Sequence, residues 1–408
     1  MFNPLSQAFG LDIGDRSFKV IQMTSGKRPD SPCRLTAWGG INIPEGIMDK
    51  GEVLNMAQAA DYINKLLSQT RGLKGRAVVA CLPEAKSFVK TVEVNAGISE
   101  AEIRQVVAKE IEMNIPLKPD EIYHDWQVIQ GSELPPAAPA EAEPASPENN
   151  AAEEIRGGKA EGAGEKAEPA GQTAAAAEAV AVPKSRILIA AAPRNLIDGY
   201  SQMLETAGLV PLAYEIEAVA MARAIIPFDE QFAEAIGVLD LGATRSSLVI
   251  YDGGILQMSI SIPISGYELT KIISEKLQIN ESDAELVKIE CGLDANRCED
   301  RMWRILLPVI DDMCAKIKNA LRFYKIGFPM GKKIERLYLC GGGAHFREID
   351  SVLSRKLTIK VRRGDAMINT QIHKDFPEDK SLTYATAIGL ALRGVVESRK
   401  YSGGIFGL

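Results

Sequence analysis

The sequence predicts an α/β protein of two or three domains, and three observations carry that reading. Strand-like and helix-like segments alternate along the chain. The length of 408 residues divides into two or three units at about 100–200 residues each. Two strand–turn–strand segments of one plan, each turning on Asp-x-Gly, lie far apart in the chain. With 46% hydrophobic and 25% charged residues, the composition is that of a globular chain able to bury a sizeable core.

In order, residues 9–15 and 17–25 read as two strands joined by a tight turn at Gly14-Asp15-Arg16. Residues 53–70 have the apolar spacing of an amphipathic helix, and 76–83 are a β-branched strand. Residues 87–94 read as a strand, and 98–115 as a helix with Ser99 and Glu102 in capping-box spacing. Strands follow at 121–129 and 185–193, then a helix at 195–208 closing on Gly208. The second strand–turn–strand spans 236–254, with a further strand at 255–263. Helices are expected at 266–277, 282–290 and 302–325. Residues 336–357 read as strand, glycine turn, helix, and a last helix at 382–394 ends on Gly394.

Between the strands at 121–129 and 185–193 the composition changes. Residues 130–184 are rich in Ala, Glu, Pro and Gly and hold no aromatic residue, so burial cannot offset ordering entropy and disorder is expected. The segment has ten Glu and no Asp against Arg156, Lys159, Lys166 and Lys184, a balance of −6. Nearly all of the formal charge of −7 therefore lies there, and the folded remainder is close to neutral. Without the insertion, 87–208 read as one α+β unit of order β-α-β-β-α with a hairpin whose tip carries it. Long insertions at hairpin tips are cheap, because closure cost grows logarithmically.

Several classes are disfavoured. The acidic balance argues against a nucleic-acid protein working through a strong positive field. Six cysteines (Cys33, Cys81, Cys291, Cys298, Cys314, Cys340) are scattered without C-x-x-C, which fits reduced thiols better than a disulfide scaffold or a zinc site. The histidines His124, His345 and His373 do not cluster. No uncharged apolar run approaches the ~18–20 residues of a membrane span, and the start lacks the pattern of a signal peptide. A cytoplasmic protein, reaching a membrane only through a partner, is expected.

Three glycine turns carry the chemistry. The first runs from Asp12 through Gly14, Asp15, Arg16 and Ser17 to Lys19; the second from Asp240 through Gly242, Ala243 and Thr244 to Ser247. Gly permits the tight hairpin and lets backbone N–H groups approach an anion. An Asp at the strand end can hold hydrated Mg²⁺, so Asp12 and Asp240 are the candidate metal residues. Lys19 and the hydroxyls of Ser17 and Thr244 can reach phosphate oxygens. Beside phosphate, the Asp15 carboxylate requires screening by Mg²⁺ or Lys19. The third turn, Gly341-Gly342-Gly343-Ala344, lies between strand and helix, where backbone can pack flat on a base or sugar. Other candidates are weaker. The stretch 327–333 has the wrong glycine spacing for a P-loop, with Lys333 where Ser or Thr must stand. His345 reads as a solvent-facing helix start, and His124 and Trp126 as strand packing. The glycines of 400–408 do not make an amphipathic membrane helix.

Together the three turns resemble the phosphate-1, phosphate-2 and adenosine signature of the actin-like ATPase superfamily. The order β-α-β-β-α, and the stretches 100–129, 187–224 and 384–394, are similar to the PilM family within it. The resemblance implies an actin-like two-lobed α/β fold of duplicated mixed sheets flanked by helices, with an FtsA/PilM-type α+β subdomain inserted in the first lobe. It implies boundaries at 1–84 for the first-lobe core, 85–214 for the insertion, 215–225 for a connecting helix, 226–378 for the second lobe and 379–408 for a return to the first. It implies ATP with Mg²⁺ in the interlobe cleft, bound through Gly14, Asp15, Arg16, Ser17, Lys19, Gly242, Ala243, Thr244, Gly341, Gly342, Gly343 and Ala344. Glu217, at the start of the connecting helix, is the position from which the superfamily orients water; a first-turn residue favoured by the helix dipole is the alternative. Lys316 and Asn319 stand where the family pattern has Glu and Arg that help hold ribose and adenine. The implied role is a cytoplasmic nucleotide-binding scaffold of the type IV pilus platform, with weak hydrolysis or none. It would dock the N-terminal tail of PilN, contact other platform proteins, and sit at the inner membrane through PilN, a homo-oligomer being left open. An active ATPase or kinase of the superfamily, or an FtsA-like filament protein, are the alternatives.

Overall fold

The computed structural model describes residues 4–26, 32–134, 184–228, 232–329, 331–371 and 375–400. The chain opens with β1 (Phe9–Ile13), β2 (Ser17–Thr24) and β3 (Cys33–Asn42). The short strands β4 (Met48–Asp49) and β5 (Glu52–Val53), helix α1 (Met56–Gln69) and β6 (Ala77–Leu82) follow. Next come β7 (Phe88–Asn95), α2 (Glu100–Asn114), β8 (Ile122–Leu134), β9 (Lys184–Pro193) and α3 (Arg194–Thr206), then β10 (Val210–Ile216) and α4 (Glu217–Ile225). The second half holds β11 (Ala235–Leu241), β12 (Ser246–Asp252), β13 (Ile255–Ile262), α5 (Gly266–Leu277), α6 (Glu281–Cys291) and α7 (Arg301–Gly327). It ends with β14 (Ile334–Cys340), α8 (Ile349–Leu357), β15 (Lys360–Arg363), β16 (Thr370–Gln371) and α9 (Ala385–Lys400).

Two large sheets repeat one pattern. The orders β3-β2-β1-β6-β10 and β13-β12-β11-β14-β15 correspond strand for strand. In each, the first three strands are antiparallel and the last two join in parallel. The fold is thus a duplication, with one mixed sheet per lobe. β16 adds a sixth strand to the first sheet by pairing with β3. The central strands β1 and β11 are buried on both faces, as their near-continuous apolar runs require. Helix α9 packs against β1, and Gly10 makes this approach possible. A Cβ there would sit 2.5 Å from the Ala387 carbonyl oxygen and 2.6 Å from the Ala391 nitrogen.

The inserted unit is a three-stranded antiparallel sheet, β7-β9-β8, covered by α2. It has its own small core, in which Val107 and Ile111 of α2 meet Ile187 and Ile189 of β9. The expected capping box is formed: the Ser99 backbone N–H donates to Glu102 Oε2 at 2.7 Å, and the Glu102 N–H donates to Ser99 Oγ at 3.3 Å.

The structure corrects several expectations. The expected disordered segment begins at residue 130, but β8 runs on to Leu134 and β9 starts at Lys184, with those two residues paired. Backbone pairing carries the hairpin beyond the point where the composition changes; residues 135–183 lie outside the described residues, as do 401–408, His373 and residue 330. The last helix continues through Gly394 instead of ending there. That glycine serves packing, since a Cβ would meet the Leu5 carbonyl oxygen at 2.3 Å. Cys291 and Cys298 form a disulfide, with Cα atoms 5.9 Å apart, where reduced thiols were expected; the other four cysteines are buried and outside any disulfide. The seven-residue separation suits a turn that brings the two together. His124 is exposed in β8, not packed, whereas Trp126 lies half-buried under the Arg104 guanidinium, 5.0 Å from the ring centre. Among the described residues no helix is long and apolar enough to cross a membrane.

Candidate functional site

The hairpins after β1 and β11 meet tip to tip. The Thr244 hydroxyl donates to Asp15 Oδ2 at 2.7 Å, directly across from one lobe to the other. In the first hairpin, the Gly14 N–H donates to the Ser17 carbonyl at 3.1 Å and so closes the tight turn. Asp15 is buried and also accepts from the Gly51 N–H at 2.8 Å. Arg16 points to the mouth, paired with Glu45 at 2.5 Å and stacked over Tyr267 of α5, 5.2 Å from its ring centre. In the second hairpin, the carbonyls of Gly242 and Ala243 accept from the N–H groups of Gly266 and Tyr267, which ties the turn to the start of α5.

The triple-glycine bend lies against this second hairpin. Gly341 adopts φ +77°, and a Cβ on it would fall 2.2 Å from Asp240 Oδ1. Gly343 packs in the same way on Leu241. The bend is a short 3₁₀ turn over Gly342–His345, with Ala344 buried and His345 exposed. The α-helix starts only at Ile349, so the expected helix N–H groups do not begin at the glycines.

Beneath the tips lies a buried charged floor. Lys19 donates to Asp12 Oδ2 at 3.0 Å. Burial alone would lower the Lys19 pKa, but the adjacent Asp12 charge outweighs it and holds the ammonium above its ordinary value. Lys19 therefore serves Asp12, and the partner that screens Asp15 is Arg245. This guanidinium lies 3.4 Å from Asp15 Oδ2 and 3.2 Å from Glu217 Oε1. Burial works against the charge of Arg245, yet Glu217 and Asp15 raise its pKa. Glu217 opens α4, as expected, and its Oε2 accepts from the Glu84 N–H at 3.4 Å. Burial, with the charges of Glu217 and Asp12, pushes Asp240 up to about 7, and burial first, then Glu217, pushes Glu84 up to about 7. Cys81 and Cys340 close the floor on either side. Cys81 Sγ is 3.5 Å from Asp12 Oδ1 and Cys340 Sγ 3.8 Å from Asp240 Oδ1; burial raises both thiol pKa values well above the ordinary one.

All three turns, Asp12, Asp240 and Glu217 thus converge on one place. Lys316 and Asn319 do not join them: Lys316 pairs with Asp312 one helical turn away, and Asn319 is exposed on α7. The stretch after α7 is elsewhere too, with the Lys332 N–H bound to Asp252 and Lys333 paired to Glu335. Sequence reasoning missed Arg245, Glu84, Gly51 and the two thiols. The signal for Arg245 was present, since an acidic residue in one hairpin is matched by a basic one in the other.

The donor chemistry suits a hard cation. Carboxylates from Asp12, Asp15, Glu84, Glu217 and Asp240 outnumber Lys19 and Arg245 on the floor, and the charges of Glu217 and Asp12 add to burial in raising Asp240. Oxygen donors of this kind are what Mg²⁺ takes. Asp12, Cys81 and Glu217 also bring one ligand atom each within 4.8 Å of one another. Room is scarcer: the cavity at the hairpin tips, lined by Asp15, Arg16, Asp49 and Thr244 among others, holds about 200 Å³, below the roughly 300–1,000 Å³ of common ligand pockets.

Duplicated mixed sheets, with Asp-x-Gly hairpins facing each other between the lobes, define an actin-like protein carrying an inserted α+β unit. More narrowly, the chain belongs to the family of the type IV pilus assembly protein PilM, whose model matches residues 10–142 and 174–395. Its fold is similar to that of the solved PilM-PilN type IV pilus biogenesis complex, with a TM-score of 0.71 and 24% identity, covering 96% of this chain and 99% of that one. The ethanolamine utilization protein EutJ of Carboxydothermus hydrogenoformans is also similar, with a TM-score of 0.49, 14% identity, and coverage of 94% of this chain and 89% of that chain. The cell division protein FtsA of Neisseria meningitidis serogroup B is 22% identical over 199 residues, 44% of this chain. The chain spans about half (48%) of the length of that curated relative.

Proposed function

We propose that the protein is a scaffold of type IV pilus assembly that binds ATP between its lobes and docks the N-terminal tail of PilN. Family membership over residues 10–142 and 174–395, joined to a fold like that of a PilM-PilN complex, is the observation that carries this reading. The docking mode is an extended peptide in a groove beside the first lobe and the inserted unit, held by main-chain hydrogen bonds and a few apolar anchors. The partner supplies the membrane anchor, and the scaffold works at the cytoplasmic face of the inner membrane beside other platform proteins.

In the cleft, Asp12 and Asp240 would hold Mg²⁺ through water, and Gly14, Ser17, Lys19, Gly242 and Thr244 would face the phosphates. Gly341, Gly342, Gly343 and Ala344 would lie by the adenosine. Bound Mg²⁺ would supply charge neutralisation. Glu217, the residue positioned to orient water, is engaged by Arg245 and by the Glu84 N–H. That engagement favours a structural nucleotide over turnover.

The test is a titration of a synthetic PilN-type tail against the purified protein, with and without Mg-ATP. Binding in the micromolar range supports docking, and no binding at high micromolar concentration rejects it. Phosphate release faster than about 1 s⁻¹ would instead select the enzyme reading.

A further inference from the structure

We infer that Arg245 is a built-in occupant of the phosphate position: it latches the lobes through Asp15 and Glu217, and nucleotide enters by displacing it. The entry step rests on the nucleotide reading above; the latch itself does not.

Arg245 belongs to the second lobe, but its partners belong to the first. Its Nη1 is 3.4 Å from Asp15 Oδ2 on the first hairpin, and its Nη2 is 3.2 Å from Glu217 Oε1 on α4. It also lies against the β4–β5 turn, where a Cβ on Gly51 would be 3.4 Å from Nη1. That turn is fixed from both sides: the Gly51 N–H donates to Asp15, and the Gly51 carbonyl accepts from the buried Tyr200 hydroxyl of α3 at 2.9 Å. One guanidinium therefore joins the second lobe to the first-lobe hairpin, to α4 and, through Gly51, to the inserted unit.

A phosphate at these hairpins would compete with Asp15 for the same donors, Thr244 and Arg245. The Asp15 carboxylate, 5% exposed as a side chain, would also repel it. With a neutral side chain at position 15 the repulsion is gone and the competition weakens, and Arg245, held by Glu217 alone, can turn toward an anion. Asp15 thus sets the strength of nucleotide binding, and Arg245 carries the positive charge that either partner can use.

Native thiols read the latch. Cys81 and Cys340 flank the floor and are buried, whereas Cys33 and Cys314 are buried elsewhere in the two lobes. In full-length nucleotide-free protein, thiol modification is followed site by site by mass spectrometry at one pH. Asp15→Asn and Arg245→Met are each expected to speed modification of Cys81 and Cys340 by roughly tenfold, the size of a lost close charge pair, with Cys33 and Cys314 unchanged. The double variant should be no faster than either single one. Floor thiols as slow as in the parent overturn the latch. Should a charge variant expose all four thiols, Thr244→Val decides, because it removes one hydrogen bond to Asp15 without uncovering a charge; no change there also overturns it.

A fluorescent ATP analogue with Mg²⁺ is then titrated. Asp15→Asn is expected to bind roughly tenfold more tightly than the parent. Equal affinity overturns displacement. Binding by neither protein removes the nucleotide reading, while the thiol rates still decide the latch.

Discussion

Glu84 sits where β6 hands over to the inserted unit, 8% exposed, with its backbone N–H on Glu217. Its folded pKa of about 7 exceeds the ordinary 4.5 because burial penalises the charged form. Between those values the folded protein keeps a proton that the unfolded chain has lost. Stability therefore falls as pH rises through that window and levels off above it. Glu84→Gln should stabilise the protein by about 1–3 kcal/mol near pH 7.5 and by little near pH 5. Denaturant midpoints at the two pH values check this, and a variant that tracks the parent at both would refute it. Gly389 makes a second prediction at this scale. A Cβ there would lie inside contact distance of the Ala220 backbone oxygen on α4. Gly389→Ala should cost at least about 2 kcal/mol, measurable as a lower denaturant midpoint or as loss of soluble protein.

Among elements, α2 depends most visibly on a local device. Its capping box satisfies donors at the helix start, and its buried face, Ile103, Val107 and Ile111, covers the small sheet. Ser99→Ala should lower stability by about 1 kcal/mol and raise amide exchange first in α2, while the two large sheets keep their protection. Uniform exchange across the chain would argue against this. The elements also show what the sequence made legible. α5 falls on its expected residues, Gly266–Leu277, because an uninterrupted amphipathic pattern follows the N-cap Ser265. β3 was overlooked, since Gly39 and Gly40 interrupt its pattern; both are there for close approach, to Thr70 and to the Tyr384 hydroxyl. β10 was hidden by Pro211, which its register absorbs as an irregularity against β6. At the site, the glycine turns and their acids were readable as motifs. Side-chain pairing between lobes was not, because Asp15 and Arg245 are 230 positions apart and only the duplicated fold brings them together.

For the whole molecule, the position of the insertion matters. Leu134 and Lys184 are cross-strand partners in β8 and β9, so the chain leaves and re-enters the fold at one point. Replacing 135–183 by a short Asn-Gly turn should keep the fold and the affinity for a PilN-type tail, and raise stability by about 1 kcal/mol or less, since closure entropy depends only weakly on loop length. A tail affinity weakened by tenfold or more would give the segment a binding role. Scattering or circular dichroism would separate that result from misfolding.

The crossing of α4 and α9 fixes the seat of the helix that opens with Glu217. Gly389 brings the backbones of the two helices together with no side chain between them, and Gly10 seats α9 equally closely on β1. Such a contact leaves the two helices little room to slide along each other. Glu217, in the first turn of α4, is thereby held where it faces Arg245 of the second hairpin. A larger side chain at position 389 should accordingly be felt first at the pairing of Glu217 with Arg245.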